Sequence, residues 1–307
     1  MDHLETLRCF VAAADAGGFA VAARRLGCSA AAVTRAIAAL EARLGVLLFQ
    51  RSTRLVRLTE AGERFLADCR PILNDLQEAE QAASGAQAEA QGLLSITAPQ
   101  MFGIQHVAPI VQSFLHVQPR VQVRTLFVNR LVHLLDEGMD VAIRIAHLPD
   151  SGLTAVQVGA LRHLVVASPA YVAQHGEPRH PDELTAHHAI GFSFDARAVA
   201  PWKFKDGATG QPQFAWISNS NEVDIAAAEA GLGLTRCLAY QAAASLRAGR
   251  LRIVLADHEL PPVPVHIVYP AGRRAPAKVR AFVEFAREQL AAEPVLRGRG
   301  LVRGGGR

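Results

Sequence analysis

Residues 18–58 hold two short amphipathic segments separated by Gly27-Cys28-Ser29, the second flanked by arginines and followed by a hairpin-like stretch ending at Leu58. Along Phe19–Leu26, the residues Phe19, Ala22, Ala23 and Leu26 recur at helical spacing on one face, with Arg24 and Arg25 pointing elsewhere. Gly27, lacking a Cβ, ends that helix at little cost. Ser29 offers a hydroxyl to cap the next helix, whose buried face is Val33, Ile37, Leu40 and Leu44. Its opposite face carries Ala30, Ala31, Thr34, Arg35 and Ala38, small residues around a hydroxyl and a guanidinium, which can approach base edges closely. Leu47-Leu48-Phe49 and Leu55-Val56-Arg57-Leu58 predict two short strands joined by a basic turn in which Arg51 and Arg54 suit phosphate. This order is that of a winged helix-turn-helix and implies double-stranded DNA as partner. An Ala-rich helical pair that is only core packing, with solvated arginines, is the alternative that spacing leaves open.

An opening helix presents Leu4, Leu7, Val11 and Ala14 for this pair to pack against. Thr59-Glu60-Ala61-Gly62-Glu63 then places a capping threonine before an acidic first turn, so a new helix starts there. Along it Phe65, Cys69, Ile72, Leu76, Ala79 and Ala83 alternate spacings of four and three, a coiled-coil seam that predicts a homodimer; Pro71 lies just outside it. Charge follows the same division: residues 1–58 hold eight arginines against four acidic residues, and residues 59–91 two against seven. Small, polar residues at 84–92 read as a hinge.

From Leu93 the pattern changes. Strands are expected at Leu93–Thr97, Val121–Phe127, Val141–Ile145, Leu164–Ala167, Ala189–Phe192, Phe214–Ile217, Leu251–Val254 and Val265–Val268, with helices at Ile104–Val117, Leu131–Glu137, Glu222–Ala230 and Ala277–Leu290. Such alternation argues for a parallel α/β sheet in two small lobes. The fold class is therefore multi-domain α/β: a winged helix-turn-helix at 1–58, a coiled-coil linker helix and hinge at 59–91, and a two-lobed α/β domain at 92–292. Lobe I takes about 92–162 and 267–292, lobe II about 163–266, and 293–307 is expected to be a disordered Gly/Arg tail.

The exclusions are as informative. No stretch reaches the ~18–20 uninterrupted apolar residues of a membrane span, and the amphipathic start with Asp2 and Glu5 is unlike a signal region, so a cytoplasmic protein is expected. Four cysteines (Cys9, Cys28, Cys69 and Cys237) lack CxxC spacing, arguing against zinc or disulfides. HExxH, GxSxG and GxxxxGK are absent, and Gly231-Leu232-Gly233 follows a helix and precedes a strand, the reverse of a dinucleotide fingerprint. Twelve histidines show no ligand spacing. No enzyme activity, metal or cofactor is expected.

Taken together, Phe10-Val11-Ala12, Ala22-Ala23-Arg24-Arg25-Leu26, Ser29, Ala32-Val33-Thr34-Arg35, Leu40-Glu41, Leu48-Phe49, Arg51, Arg54 and Leu58-Thr59-Glu60-Ala61-Gly62 resemble the LysR-type transcriptional regulators. The resemblance extends through Asp140-Val141-Ala142-Ile143-Arg144-Ile145, Ala167-Ser168-Pro169-Ala170-Tyr171, Asn219-Ser220, Ala230-Gly231-Leu232-Gly233 and Ala275-Pro276-Ala277-Lys278-Val279-Arg280. Ile143-Arg144-Ile145 with Leu148-Pro149-Asp150-Ser151 resembles the signature of one branch of the effector domain. The resemblance implies a periplasmic-binding-protein-like, two-lobed effector domain, promoter DNA as partner, RNA polymerase as a possible contact, and a homodimer or homotetramer. One departure stands out: where the family often has Gln-Pro after the capping serine, this chain has Ala30-Ala31, so a bidentate adenine contact is missing.

In a two-lobed α/β domain the ligand sits near the carboxyl ends of strands and the N-termini of the following helices. That rule selects Pro99, Gln100, Met101, Asn129 and Arg144 from the first lobe, and Asn219, Ser220, Asn221 and Thr235 from the second, a mixture suited to a small carboxylate effector. Helix capping by Asn129 and Ser220, and ion pairing of Arg144 with Asp136 or Asp140, are equally open from sequence. Two other functional readings also stand: a constitutive repressor or architectural protein without ligand response, and an α/β enzyme bearing a DNA-binding module.

Overall fold

The computed structural model describes residues 2–51, 56–83, 89–195, 199–270 and 275–297; of Arg51, Val56, Pro71 and residues 74–75, 77–79 and 81–83 only the backbone is described. The chain divides into two compact units, Met1–Ala88 and Glu89–Arg307.

In the first unit α1 (His3–Ala16), α2 (Phe19–Leu26) and α3 (Ala30–Leu44) precede an antiparallel hairpin of β1 (Phe49–Arg51) and β2 (Val56–Leu58), then α4 (Glu60–Ala83). Each of the first three helices ends on a glycine in the left-handed conformation, Gly17, Gly27 and Gly45. The core gathers Phe10, Ala22, Ala23, Val33, Ile37, Leu40, Leu48 and Phe49, with Phe10 meeting the rings of Phe49 and Phe65 at 5.5 and 5.4 Å. The expected α1 stripe shifts: Thr6, Leu7, Cys9, Phe10 and Ala13 are buried instead of Leu4, Val11 and Ala14, because α1 packs against α2, α3 and α4 together and needs a wider face. Leu26 and Leu44, the last residues of their helices, are exposed rather than buried.

Two polar devices fix the wing. The buried Glu41 carboxylate on α3 accepts the backbone N–H groups of Leu48 (2.8 Å) and Phe49 (3.1 Å). Thr59 caps α4, its Oγ1 accepting the Gly62 N–H (3.0 Å) and donating to the Leu47 carbonyl (2.7 Å). Gly62 is obligatory here, since a Cβ would lie 2.1 Å from the Leu48 carbonyl oxygen. The seam along α4 is divided by this packing. Phe65 and Cys69 enter the core of the first unit, whereas Ile72 is exposed and Leu76 half-buried; the side chains of Ala79 and Ala83 lie outside the described residues.

The second unit holds two five-stranded sheets. The first, in the order β4-β3-β5-β14-β6, comprises β3 (Gly92–Ala98), β4 (Val121–Phe127), β5 (Val141–Ile145), β6 (Leu153–Leu161) and β14 (Val263–Pro270). The second, β11-β8-β12-β7-β13, comprises β7 (His163–Ala167), β8 (His188–Phe192), β11 (Gln213–Ser218), β12 (Leu234–Leu238) and β13 (Arg252–Val254). The two-residue strands β9 (Trp202–Lys203) and β10 (Thr209–Gly210) pair separately. Helices α5 (Gln100–Phe102) and α6 (Ala108–Val117), joined by a π-helical turn, together with α7 (Pro169–His175), α8 (Asn221–Glu229), α9 (Ala239–Arg247) and α10 (Ala277–Ala292), complete it.

Both sheets are mixed, not parallel as expected: β14 runs antiparallel to β5 and β6, and β7 antiparallel to β12 and β13. The chain crosses between sheets at Arg162, where β6 passes straight into β7, and returns through β14, so each sheet takes in a strand arriving from the other. The return begins at Val263, four residues before the expected boundary of 267. The helix expected over Leu131–Glu137 is a series of turns: the Val132 carbonyl accepts Arg144 Nη2 (2.6 Å), and Glu137 accepts Arg130 and the His133 N–H, which closes the loop without a helix. At the carboxyl end, Pro294–Arg297 forms a 3₁₀ turn that buries Leu296 against Gly159, so this stretch belongs to the fold and not to a tail. Arg297 donates to the Ala291 carbonyl (2.6 Å); the remainder of the expected tail lies outside the described residues.

Candidate nucleic-acid interface and ligand cavity

The exposed end of α3 is built by its cap. Ser29 sits in extended backbone and its Oγ accepts the Ala32 N–H (3.1 Å), so the first turn starts on a fixed footing. Ala30, Ala31 and Arg35 are exposed, and the Arg35 side chain makes no hydrogen bond or ion pair among the described residues. Thr34 Oγ1 donates to the Ala30 carbonyl (2.9 Å), so its proton is engaged within the helix and it can meet a base only as an acceptor or through its methyl group. In the wing, Arg51 pairs with Val56 through the backbone, its side chain lying outside the described residues together with all of Arg54. Sequence reasoning left out Arg57: it stands exposed on β2 opposite Gln50, and strand alternation between Val56 and Leu58 is the signal that places it outward.

Between the two sheets of the second unit lies a cavity of about 1210 Å³. The first sheet contributes Thr97 and Arg144, with Pro99 and Asn129 from the segments that follow its strands β3 and β4, the second sheet His163, Ile190, Phe192 and Arg236, with Asn221 from α8 and Tyr240 from α9. Pro99, Asn129, Arg144 and Asn221 therefore stand where the carboxyl-end rule puts them. Five other candidates do not line the cavity. Gln100 is held by its N–H to Asn129 Oδ1 (3.0 Å), Met101 is buried in the core, and Asn219 is exposed elsewhere. Ser220 caps α8 through the Val223 N–H (3.4 Å), and the wholly buried Thr235 donates to the Ile190 carbonyl (3.1 Å), spent inside the sheet. Thr235 is also the second residue of β12, not its end.

His163 and Arg236 were not anticipated. The available signal was an arginine as the one charged residue of the run Leu234–Leu238, where alternation turns it away from the face of Thr235 and Cys237. Burial lowers the pKa of both Arg236 and Arg144. Burial, then the neighbouring Arg236, pushes His163 down to about 4, so its imidazole is neutral at ordinary pH. Its Nδ1 lies 3.4 Å from Arg236 Nη2. Arg130 and Lys203 also line the cavity, and no aspartate or glutamate does among the described residues. Among the described residues no group of His, Cys, Asp or Glu is placed to hold a metal ion, and no helix is long and apolar enough to cross a membrane.

The chain matches the lysR-family bacterial regulatory helix-turn-helix protein over residues 4–63 and the LysR substrate binding domain over residues 87–291. It is a LysR-type transcriptional regulator. The match assigns DNA binding to the helix-turn-helix and small-molecule binding to the two-lobed domain, and places the chain among regulators, not enzymes. Similar proteins include an HTH-type transcriptional regulator of Xanthomonas campestris pv. campestris, 35% identical over 283 residues (90% of this chain, 82% of that one), and PtxR of Pseudomonas aeruginosa, 32% identical over 297 residues (95% and 94%). Among solved structures, CrgA, a LysR-type regulator from Neisseria meningitidis, matches with a TM-score of 0.59 and 27% identity over 94% of this chain and 99% of that one. The Vibrio cholerae virulence activator AphB matches with a TM-score of 0.54 and 29% identity over 93% and 98%.

Proposed function

We propose that this LysR-type regulator reads double-stranded promoter DNA with Arg35, Thr34 and the small residues Ala30 and Ala31 of α3. In this reading the wing arginines Arg51, Arg54 and Arg57, together with Ser29, hold phosphate. The observation that carries it is the exposed Arg35, its guanidinium without a partner among the described residues, on the same helix face as two alanines while the other face is locked in a core. With no bidentate adenine contact after Ser29, discrimination per half-site is modest and rests partly on DNA shape. A small carboxylate effector in the cavity shifts the arrangement of paired DNA-binding units, a coupling of ~1–3 kcal/mol, provided it binds one arrangement better than another. Pairing runs along the part of α4 that the first unit leaves uncovered, at Ile72 and Leu76, giving a homodimer that can pair again as a tetramer. The setting is the cytoplasm, where the promoter is, with RNA polymerase as the further protein partner.

Footprinting and gel shifts on DNA upstream of its own and the neighbouring gene, with a salt titration and scrambled DNA, test this. A discrete site spanning two or more helical turns is expected. Arg35→Ala should alter sequence preference, whereas Arg57→Ala should weaken binding to all sequences and flatten the salt dependence. Equal losses on cognate and scrambled DNA for Arg35→Ala would remove its assignment to base reading. A footprint unchanged by every carboxylate tested would favour the constitutive repressor.

A further inference from the structure

Two half-buried arginines of the cavity wall have no carboxylate partner among the described residues, Arg144 and Arg236; Arg144 donates to the Val132 carbonyl (2.6 Å), whereas Arg236 reaches no oxygen acceptor among the described residues. Its guanidinium carbon lies 5.7 Å from the Phe204 ring centroid, and its single polar contact is His163 Nδ1. Arg162, half-buried in the same unit, shows what a settled guanidinium looks like: it grips both oxygens of Glu259, at 2.9 and 2.7 Å. A desolvated charge without a counter-ion is costly and persists where a ligand supplies the partner. A guanidinium presents five N–H donors in a planar fork, matched to two oxygens of one anion, and His163 occupies one of them at most. With Nδ1 turned to Arg236, the neutral His163 carries its proton on Nε2 and adds a further donor.

The rest of the wall defines what the anion is attached to. With no acidic residue lining the cavity among the described residues, an ammonium would find no counter-ion there. Ile190, Phe192, Phe194, Trp202 and Leu260 line it as well, and Phe192 and Phe194 already form an edge-to-face pair at 5.2 Å. Such a surface rewards rings. Resting on the reading of this cavity as the effector site, we propose that the effector is an aryl carboxylate whose carboxylate sits on the Arg236 fork beside His163 and whose ring lies against the aromatic wall.

The probes are benzoate and 2-naphthoate, each against its neutral amide, added to the full chain and followed by thermal shift and by tryptophan fluorescence, Trp202 being in the wall. A carboxylate should raise the unfolding midpoint saturably, with its amide at least tenfold weaker. Arg236→Met should weaken carboxylate binding at least tenfold and yet raise the unfolding midpoint of the ligand-free protein, since it removes an uncompensated charge. Arg236→Lys should keep part of the binding. Amides that bind as well as carboxylates, no binding by either carboxylate, or an Arg236→Met protein less stable than the parent would each overturn the proposal. Ala200→Trp, which narrows the cavity from an exposed position, separates the two layers. Binding lost in Ala200→Trp but kept in Arg236→Met would overturn the anion seat alone, whereas binding kept in both would remove the cavity reading with it.

Discussion

Glu41→Ala should damage the DNA-binding unit more than any surface substitution in it. Glu41 is 6% exposed, and its carboxylate receives the N–H groups of Leu48 and Phe49, themselves 1% and 2% exposed. Alanine leaves both donors buried and unmatched, at about 1–3 kcal/mol each, so the expected loss is about 2–6 kcal/mol against a stability that for such a unit is typically about 5–15 kcal/mol. For a unit of this size each kcal/mol moves the midpoint by about 4–8 °C, so the transition should fall by at least ~8 °C. Glu41→Gln keeps an acceptor oxygen with two lone pairs and loses only the charge assistance, for about 1 kcal/mol. Thermal unfolding of the full chain with a probe on the first unit measures both. Hydrogen exchange at the Leu48 and Phe49 amides reports the site directly, and DNA affinity should fall with Glu41→Ala because the bonded amides start the wing. A Glu41→Ala protein within ~0.5 kcal/mol of the parent, or Glu41→Gln as costly as Glu41→Ala, would refute the reasoning.

Gly62→Ala forces a Cβ to 2.1 Å from the Leu48 carbonyl oxygen, so a loss of at least about 2 kcal/mol is expected in denaturant titration, with the wing contacts loosened in hydrogen exchange. Ile72→Glu, at a 54% exposed position, should leave thermal stability within ~0.5 kcal/mol and shift sedimentation toward the monomer; an unchanged oligomer would place the pairing surface elsewhere. Burial raises Asp224 from 3.8 to about 6, opposed by the Ser218 hydroxyl on Oδ1 and assisted by Glu222. The folded state thus keeps a proton that the unfolded chain releases near pH 4, so stability should decline as pH rises from about 4 to about 6 and level off above. Asp224→Asn should remove that slope and be on the order of 1–2 kcal/mol more stable above pH 6 by calorimetry, whereas an unaltered pH profile would assign the slope to other groups.

The sequence by itself determined the local order. Helical spacing, the terminating Gly27 and the Ser29 and Thr59 caps are short-range effects, and they located α1 to α4 and the second wing strand; the first wing strand is Phe49–Arg51 and not the expected Leu47–Phe49, so Arg51 lies on the strand instead of in the turn. Val121–Phe127 and Val141–Ile145 were likewise legible at their full length, since a run of β-branched residues between turn signals settles a strand locally. The tertiary structure alone decided direction and pairing. Antiparallel β14 and β7 follow from where the chain crosses between sheets, and the loop at 131–138 is not helical because Arg144, far along the chain, takes the Val132 carbonyl. The same division runs through the sites. Exposed alanines and an arginine at the start of a capped helix are a pattern within one element, so α3 could be read directly. The cavity draws Arg144 and Arg236 from two different sheets, and whether a guanidinium is paired or left for a ligand depends on which carboxylates the fold brings to it: Glu259 to Arg162, and none among the described residues to Arg236.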